Sequence, residues 1–130
     1  MAYELITIGT IRTPYRSVQE CPSHADAEGP ACQLVLDEAF HDGLKGLVPG
    51  QDILLLYWFE NVDRALMVQT PRRGGDKRGV FALRSPHRPN PIAASVVTVE
   101  SIENGQINVR GMDCLDGTPL LDIKPVQSRF

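Results

Sequence analysis

Residues 84–91 read Arg-Ser-Pro-His-Arg-Pro-Asn-Pro, and three prolines in eight positions exclude most regular structure. Pro86, Pro89 and Pro91 each lock φ and lack a backbone donor. Each also drives the residue before it, Ser85, Arg88 and Asn90, into extended or polyproline geometry. The segment is therefore neither a helix nor a central strand. It is a stiff, extended stretch displaying Arg84, His87, Arg88 and Asn90, and donors held this way lose little entropy when a ligand binds. Taken alone, it reads either as a connecting surface loop or as a ligand-presenting element.

The rest of the chain supplies the sheet. With 130 residues and 42% hydrophobic content, there is material for one core, so residues 1–130 are expected to form a single domain. Residues 5–11 alternate and are rich in β-branched side chains, an edge-type strand ended by Thr13-Pro14. Gly9 within it signals a bulge or the close approach of another backbone or ligand. Residues 16–30 form a long loop, and residues 33–36 a short strand. Residues 38–47 carry Ala39, Phe40, Leu44 and Leu47 at helical offsets, enough for a turn or two. The run 53–59, Ile-Leu-Leu-Leu-Tyr-Trp-Phe, is apolar throughout and reads as a central strand or one covered by a second subunit, with a homodimer expected. Residues 64–69 and 80–83 are expected to extend the sheet, and residues 71–79 to be mobile unless a ligand orders them. Residues 92–102 are a strong strand signal, and Asn104-Gly105 predicts a primed hairpin turn into a strand at residues 107–112. A turn at residues 116–119 leads to a last short strand, residues 120–123. Many short strands with short helical turns make a mainly β fold, a barrel or sandwich.

Charge and cysteine usage narrow the partners. The net charge is −3, which argues against a generally basic nucleic-acid surface. Yet Arg72, Arg73, Lys77, Arg78, Arg84 and Arg88 cluster with only Asp76 opposing them, either a solvated loop or a basic arm suited to an anionic partner. An odd count of three cysteines, with no leader-like start, implies no disulfide framework and a cytoplasmic setting. No apolar run reaches the length of a membrane span. Cys21, His24 and Cys32 lack a fourth ligand at metal spacing, so no metal is expected. Residues 74–78 lack the spacing of a phosphate-binding P-loop, and Ser85 and Ser95 lack the context of a hydrolase nucleophile.

Three segments together carry a family resemblance: Ile-Gly-Thr-Ile-Arg-Thr-Pro at residues 8–14, Gly-Val-Phe-Ala-Leu-Arg-Ser-Pro-His-Arg-Pro-Asn-Pro-Ile at 79–92, and Leu-Asp-Gly-Thr-Pro-Leu-Leu-Asp-Ile-Lys-Pro at 115–125. In order and in spacing the chain resembles the TsaA-like (TrmO/VirR) family. The resemblance implies a small β-barrel, working as a homodimer, that binds S-adenosylmethionine without a dinucleotide-binding fold. It further implies methylation at N6 of threonylcarbamoyladenosine beside the tRNA anticodon. Carried over by position, Arg84, Phe59, Glu60, Ala94, Asp113, Cys114, Leu115 and Asp116 contact the cofactor. Asp116 and Asn90 are expected to serve catalysis and Arg88 and Lys124 to face the tRNA, joined there by Arg72 and Arg73 of the basic arm. A carboxylate on the cofactor suits the fork of Arg84, and Asp116 suits a proton acceptor. Equally, Asp116 suits a side chain bonding its own turn, and Asp122 and Lys124 suit a structural ion pair.

The chain departs from the family pattern at several points. Cys21-Pro22-Ser23-His24 replaces Pro-Arg-Gln, Phe59-Glu60 replaces His-Gln, and Ala93 replaces a glycine. With Phe130 last, it is expected to lack the C-terminal extension by which some bacterial members hold tRNA. These departures motivate two alternatives: an S-adenosylmethionine-binding module without catalysis, and a methyltransferase acting on a small adenine-like metabolite.

Overall fold

Period-two alternation of apolar side chains lets an extended segment bury one face and solvate the other. The computed structural model, which describes residues 1–126, realises this in strands β1 (Gly9–Arg12), β2 (Ala31–Leu36), β3 (Asp52–Trp58), β4 (Val68–Gln69), β5 (Arg78–Gly79), β6 (Ile92–Thr98), β7 (Ser101–Glu103), β8 (Gln106–Arg110) and β9 (Thr118–Pro125). Short 3₁₀ turns at Val18–Glu20, Glu38–Leu44 and Val80–Ala82 join them. Seven strands form one antiparallel sheet in the order β6-β3-β9-β1-β2-β8-β7, and β4 and β5 make a separate two-stranded ribbon.

The inward set is Ile11 of β1, Cys32 and Leu34 of β2, Ile53, Leu55 and Tyr57 of β3, Ile107 and Val109 of β8 and Leu120 of β9, all fully buried. The mainly β expectation holds. Among the described residues no strand pairing closes the sheet into a barrel: its end strands, β6 and β7, do not pair with one another. Residues 99–100 bend between them, with Val99 N–H donating to Gln51 O (2.9 Å) and Glu100 N–H to Asn108 O (2.8 Å).

Other expectations are corrected by pairing. β1 is not an edge strand, since it carries ladders to both β2 and β9. Of residues 64–69, only Val68–Gln69 is extended, and it joins the ribbon and not the main sheet. Residues 80–83 turn instead of extending: Leu83 N–H closes a 3₁₀ turn on Val80 O, with Val80 buried and Phe81 74% exposed. β3 is central as expected, between β6 and β9, with its outward residues Leu54, Leu56 and Trp58 half-buried.

Two turn readings are confirmed. Asn104 and Gly105 have φ of 49° and 76° and join β7 to β8 as a hairpin. Gly9 is a close approach: a Cβ there would lie 2.2 Å from Val35 O and 2.8 Å from Leu36 Cα of β2. Both obstacles are backbone, so β1 and β2 would have to separate. Gly9→Ala is expected to lower stability by about 3 kcal/mol, the upper part of the range for overpacking, as measured by urea denaturation. An unchanged midpoint would show that the sheet yields there at no cost.

Candidate functional site

The prolines of residues 84–91 delete donors but leave carbonyls, and two arginines fill that deficit. Arg88 Nη1 donates to Leu83 O and to Ser85 O, both at 3.0 Å, while its guanidinium lies 5.8 Å from the centre of the Phe81 ring. Arg64 Nε donates to Pro89 O (2.8 Å), and its guanidinium lies over Trp58 at 5.3 Å. His87 Nδ1 accepts the Asp63 N–H at 2.9 Å, and the His87 N–H donates to Ser85 Oγ. Phe59 N–H donates to Pro91 O (2.9 Å), docking the segment on the end of β3. Arg84 reaches β6, where Nη2 donates to Ala94 O. Asn90 is exposed. Arg88, expected against the tRNA, therefore acts first as the internal brace of its own loop.

Residues 113–117 are tied to the end of β1 by Thr13. Its Oγ1 donates to Cys114 O (2.8 Å) and its N–H to Asp116 Oδ1 (3.0 Å). Asp116 N–H donates to Tyr15 O and Gly117 N–H to Ile11 O. Thr118 Oγ1 donates to Leu115 O at 2.7 Å. Asp116 is exposed and anchors β1, not its own turn. The first and last of the three sequence segments are thus one structural unit.

A buried polar contact joins that unit to β3 and β6. Tyr57 is fully buried, and its hydroxyl donates to Asp113 Oδ1 at 2.6 Å while lying 2.6 Å from Ser95 Oγ. Burial, and then the Asp113 carboxylate, push the Tyr57 phenol well above its usual range. Burial likewise pushes the Cys114 thiol up to about 12. Phe59 packs edge-on against Tyr57, with ring centroids 5.6 Å apart at 86°. Beside Tyr57 the β3–β9 register shifts by one residue, with Leu56 opposite Asp122 and Tyr57 opposite Leu120. Such bulges re-aim side chains. In the sequence Ser95 stood only as a serine without the context of a hydrolase nucleophile, and Tyr57 only as part of the apolar run 53–59; the available signal was a hydroxyl at an inward position of an otherwise aliphatic strand.

Of the expected cofactor residues, Phe59 follows β3, Arg84 bonds Ala94 O on neighbouring β6, and Asp113 bonds Tyr57, while Cys114 and Asp116 are tied to the end of β1 through Thr13 and Tyr15. Glu60 is exposed and lines a hollow of about 270 Å³ with Leu5, Thr7, Trp58, Pro119 and Leu121. Several expected substrate residues lie elsewhere. Lys124 pairs with Asp122 at 2.7 Å, both about half exposed, and its strand register is with Leu54. Arg72 Nη1 donates to Ser23 Oγ (2.6 Å), and Arg73 is exposed in the loop joining β4 and β5. A larger groove of about 580 Å³, between Phe40, Leu44 and Ile123, contains none of the expected cofactor residues. Among the described residues no group of three His, Cys, Asp or Glu side chains is placed to hold a metal ion.

Comparison with known proteins points the same way. The family profile described as the tRNA-methyltransferase O N-terminal domain matches residues 10–130. A probable S-adenosyl-L-methionine-binding protein VirR of Rhizobium radiobacter is 44% identical over 124 residues, covering 95% of this chain and 71% of its own. A tRNA (adenine(37)-N6)-methyltransferase of Mus musculus is 39% identical over 101 residues, 73% of this chain and 23% of its own. The crystal structure of TrmO from Pseudomonas aeruginosa superposes with a TM-score of 0.78 at 37% identity, covering 98% of this chain and 57% of that one. The chain thus spans little more than half of the TrmO structure and about a quarter of the mouse enzyme.

The thiols offer a direct check of this geometry. Burial raises Cys32 and Cys114, and Cys21, only partly exposed, is raised as well. A raised thiol pKa means less thiolate, the reactive form, at any pH below it. With iodoacetamide at pH 8, Cys21 is expected to react slowly and Cys32 and Cys114 only after unfolding, as read by peptide mass spectrometry. Alkylation of all three at the rate of free cysteine would contradict the packing.

Proposed function

The chain belongs to the tRNA-methyltransferase O N-terminal domain family, and from that membership we propose that it methylates N6 of an adenosine in tRNA, using S-adenosylmethionine. The finer substrate in this reading is threonylcarbamoyladenosine beside the anticodon. The observation that supports it is that Arg84, through Ala94 O, and Asp113, through Tyr57, both attach to the β3–β6 pair beside Phe59.

The donor set fits the cofactor. Arg84 uses Nη2 on Ala94 O, and its fork has further N–H groups for a carboxylate. Backbone groups of residues 113–116 suit the reading of an adenine edge. S-adenosylmethionine bound there supplies an electrophilic methyl group carried on sulfur. The protein's part is chiefly positioning, since methyl transfer profits most from holding nucleophile and methyl in line. Asp116 has Oδ1 engaged by the Thr13 N–H, which leaves Oδ2 to accept the proton lost by the attacking amine. Asn90, exposed within the docked proline segment, orients that amine. Arg72, Arg73, Arg88 and Lys124 provide positive charge for the tRNA backbone, with Arg72 and Arg73 at the ribbon formed by β4 and β5.

The same reading takes residues 1–130 as one domain, its sheet completed as a barrel through the bent stretch of residues 92–103, and the protein as a cytoplasmic homodimer. Half-burial of Leu54 and Leu56 beside exposed Val96 (53%) supports a partner on that face, and light scattering showing only monomer would remove the dimer. For location, the supporting fact is narrow: among the described residues no helix is long and apolar enough to cross a membrane. The runner-up, a binding module without catalysis, is favoured by the name of the VirR relative, a probable S-adenosyl-L-methionine-binding protein.

Incubation of the protein with unfractionated tRNA and methyl-labelled S-adenosylmethionine is expected to place label on N6 of an adenosine, read by nucleoside mass spectrometry. Calorimetric binding without label transfer would favour the binding module instead. Arg84→Ala is expected to weaken cofactor binding by about 1.5–3 kcal/mol, the loss of a charged hydrogen-bond pair, and an unchanged dissociation constant would refute its role. Replacing Arg72 and Arg73 together by Glu is expected to weaken tRNA binding and flatten its salt dependence. The salt slope of the wild type retained in that variant would exclude the ribbon from the interface.

A further inference from the structure

An apolar strand face that carries a hydroxyl must find it partners, and β3 has placed Tyr57 where those partners lead outward. Tyr57 has one hydroxyl proton, and burial keeps the phenol protonated. Asp113 Oδ1 is an acceptor at 2.6 Å, so the proton points there, and the remaining short contact must be Ser95 Oγ–H donating to Tyr57. The chain therefore runs one way, Ser95 to Tyr57 to Asp113. Ser95 is buried and Tyr57 fully so, whereas Asp113 is half-buried. Among the described residues the carboxylate is bonded through Oδ1, which leaves Oδ2 as a fixed acceptor. The bulge between Leu56 and Tyr57 lies at the base of this chain, where a re-aimed side chain is expected.

We propose that Ser95 and Tyr57 are positioning residues that hold Asp113 so that its second carboxylate oxygen accepts a hydrogen bond from the nucleoside cofactor. The donor is either a ribose hydroxyl or the α-ammonium group, which offer a carboxylate the same chemistry. This rests on the cofactor reading above and adds two buried residues that touch no ligand themselves. Fixing one carboxylate oxygen removes rotational freedom that binding would otherwise have to remove.

The test compares calorimetric binding of S-adenosylhomocysteine and 5′-methylthioadenosine, which lacks the amino-acid group, to the full chain and its variants. Tyr57→Phe keeps the ring and its volume and deletes only the hydroxyl. It is expected to raise the dissociation constant for S-adenosylhomocysteine about tenfold, a typical loss for a hydrogen bond to a charged group. Its turnover at saturating cofactor should stay within about threefold of wild type, and its thermal midpoint should hold to within a few degrees. Asp113→Asn should bind at least as weakly, and adding Tyr57→Phe to it should cost nothing more, because the hydroxyl acts through the carboxylate. Ser95→Ala should give a smaller loss, about two- to fivefold, and serves as the second variant should Tyr57→Phe fold poorly. Equal loss for both nucleosides assigns the ribose; loss confined to S-adenosylhomocysteine assigns the ammonium. Wild-type affinity in Tyr57→Phe, or a loss that adds to that of Asp113→Asn, would overturn the proposal while leaving the cofactor reading intact. If the wild type binds neither nucleoside, the cofactor reading falls and takes this one with it.

Discussion

The hydroxyl of Tyr57 is the contact on which the arrangement depends. It is buried in the interior of the sheet, where an unpaired polar group costs about 1–3 kcal/mol, and it is satisfied only because β6 brings Ser95 and the turn after β8 brings Asp113. That requirement sets the relation of three elements distant in sequence. Once Asp113 is held, Thr13 couples the following turn to β1 through Cys114 O and Asp116 Oδ1. The sheet around Tyr57 is thus braced by polar contacts, while Phe40, Leu44 and Leu47 supply apolar packing beside Ile8 and Ile123.

The proline-rich segment obeys a complementary constraint. Its prolines remove donors and leave carbonyls, so its shape depends on donors imported from side chains: Arg88 from within and Arg64 from the preceding loop. This explains why a segment rich in cations is not simply a charged surface. Arg88 and Arg64 are engaged in structure, Arg84 reaches along β6, and Arg72 and Arg73 sit apart near the ribbon. Three arginines of the basic arm seen in sequence therefore differ in what they bond: Arg88 the carbonyls of its own loop, Arg84 Ala94 O of β6, and Arg72 Ser23 Oγ.

Local features were legible where one residue decides the geometry. Gly9, pressed against Val35 O, and Asn104-Gly105, with positive φ at both residues, were read from their own chemistry. Of the two readings of Asp122 and Lys124, the ion pair is the one seen in the structure. What escaped was set by pairing at long range. The interior place of β1 depends on β9, more than a hundred residues away, and nothing in residues 5–11 announces two partners. Among the described residues the end strands of the sheet do not pair, so a barrel expected from strand number alone did not appear as a ladder. Val80–Ala82 looks extended in composition but turns, with Leu83 N–H bonding back to Val80 O. Of the candidate site, the motif residues were found through the family resemblance, whereas Ser95 and Tyr57 carry no motif and became visible only once β3 and β6 were side by side.

The central claim is that one end of β3, and not the larger groove near Phe40, receives the cofactor. Titration of isotope-labelled protein with S-adenosylhomocysteine, followed by amide and arginine side-chain NMR, tests it most directly. The account predicts shifts concentrated at Phe59, Arg84, Ala94 and residues 113–116, with Leu44 and Leu47 unmoved. Shifts centred on Phe40, Leu44 and Ile123, with residues 113–116 silent, would contradict it.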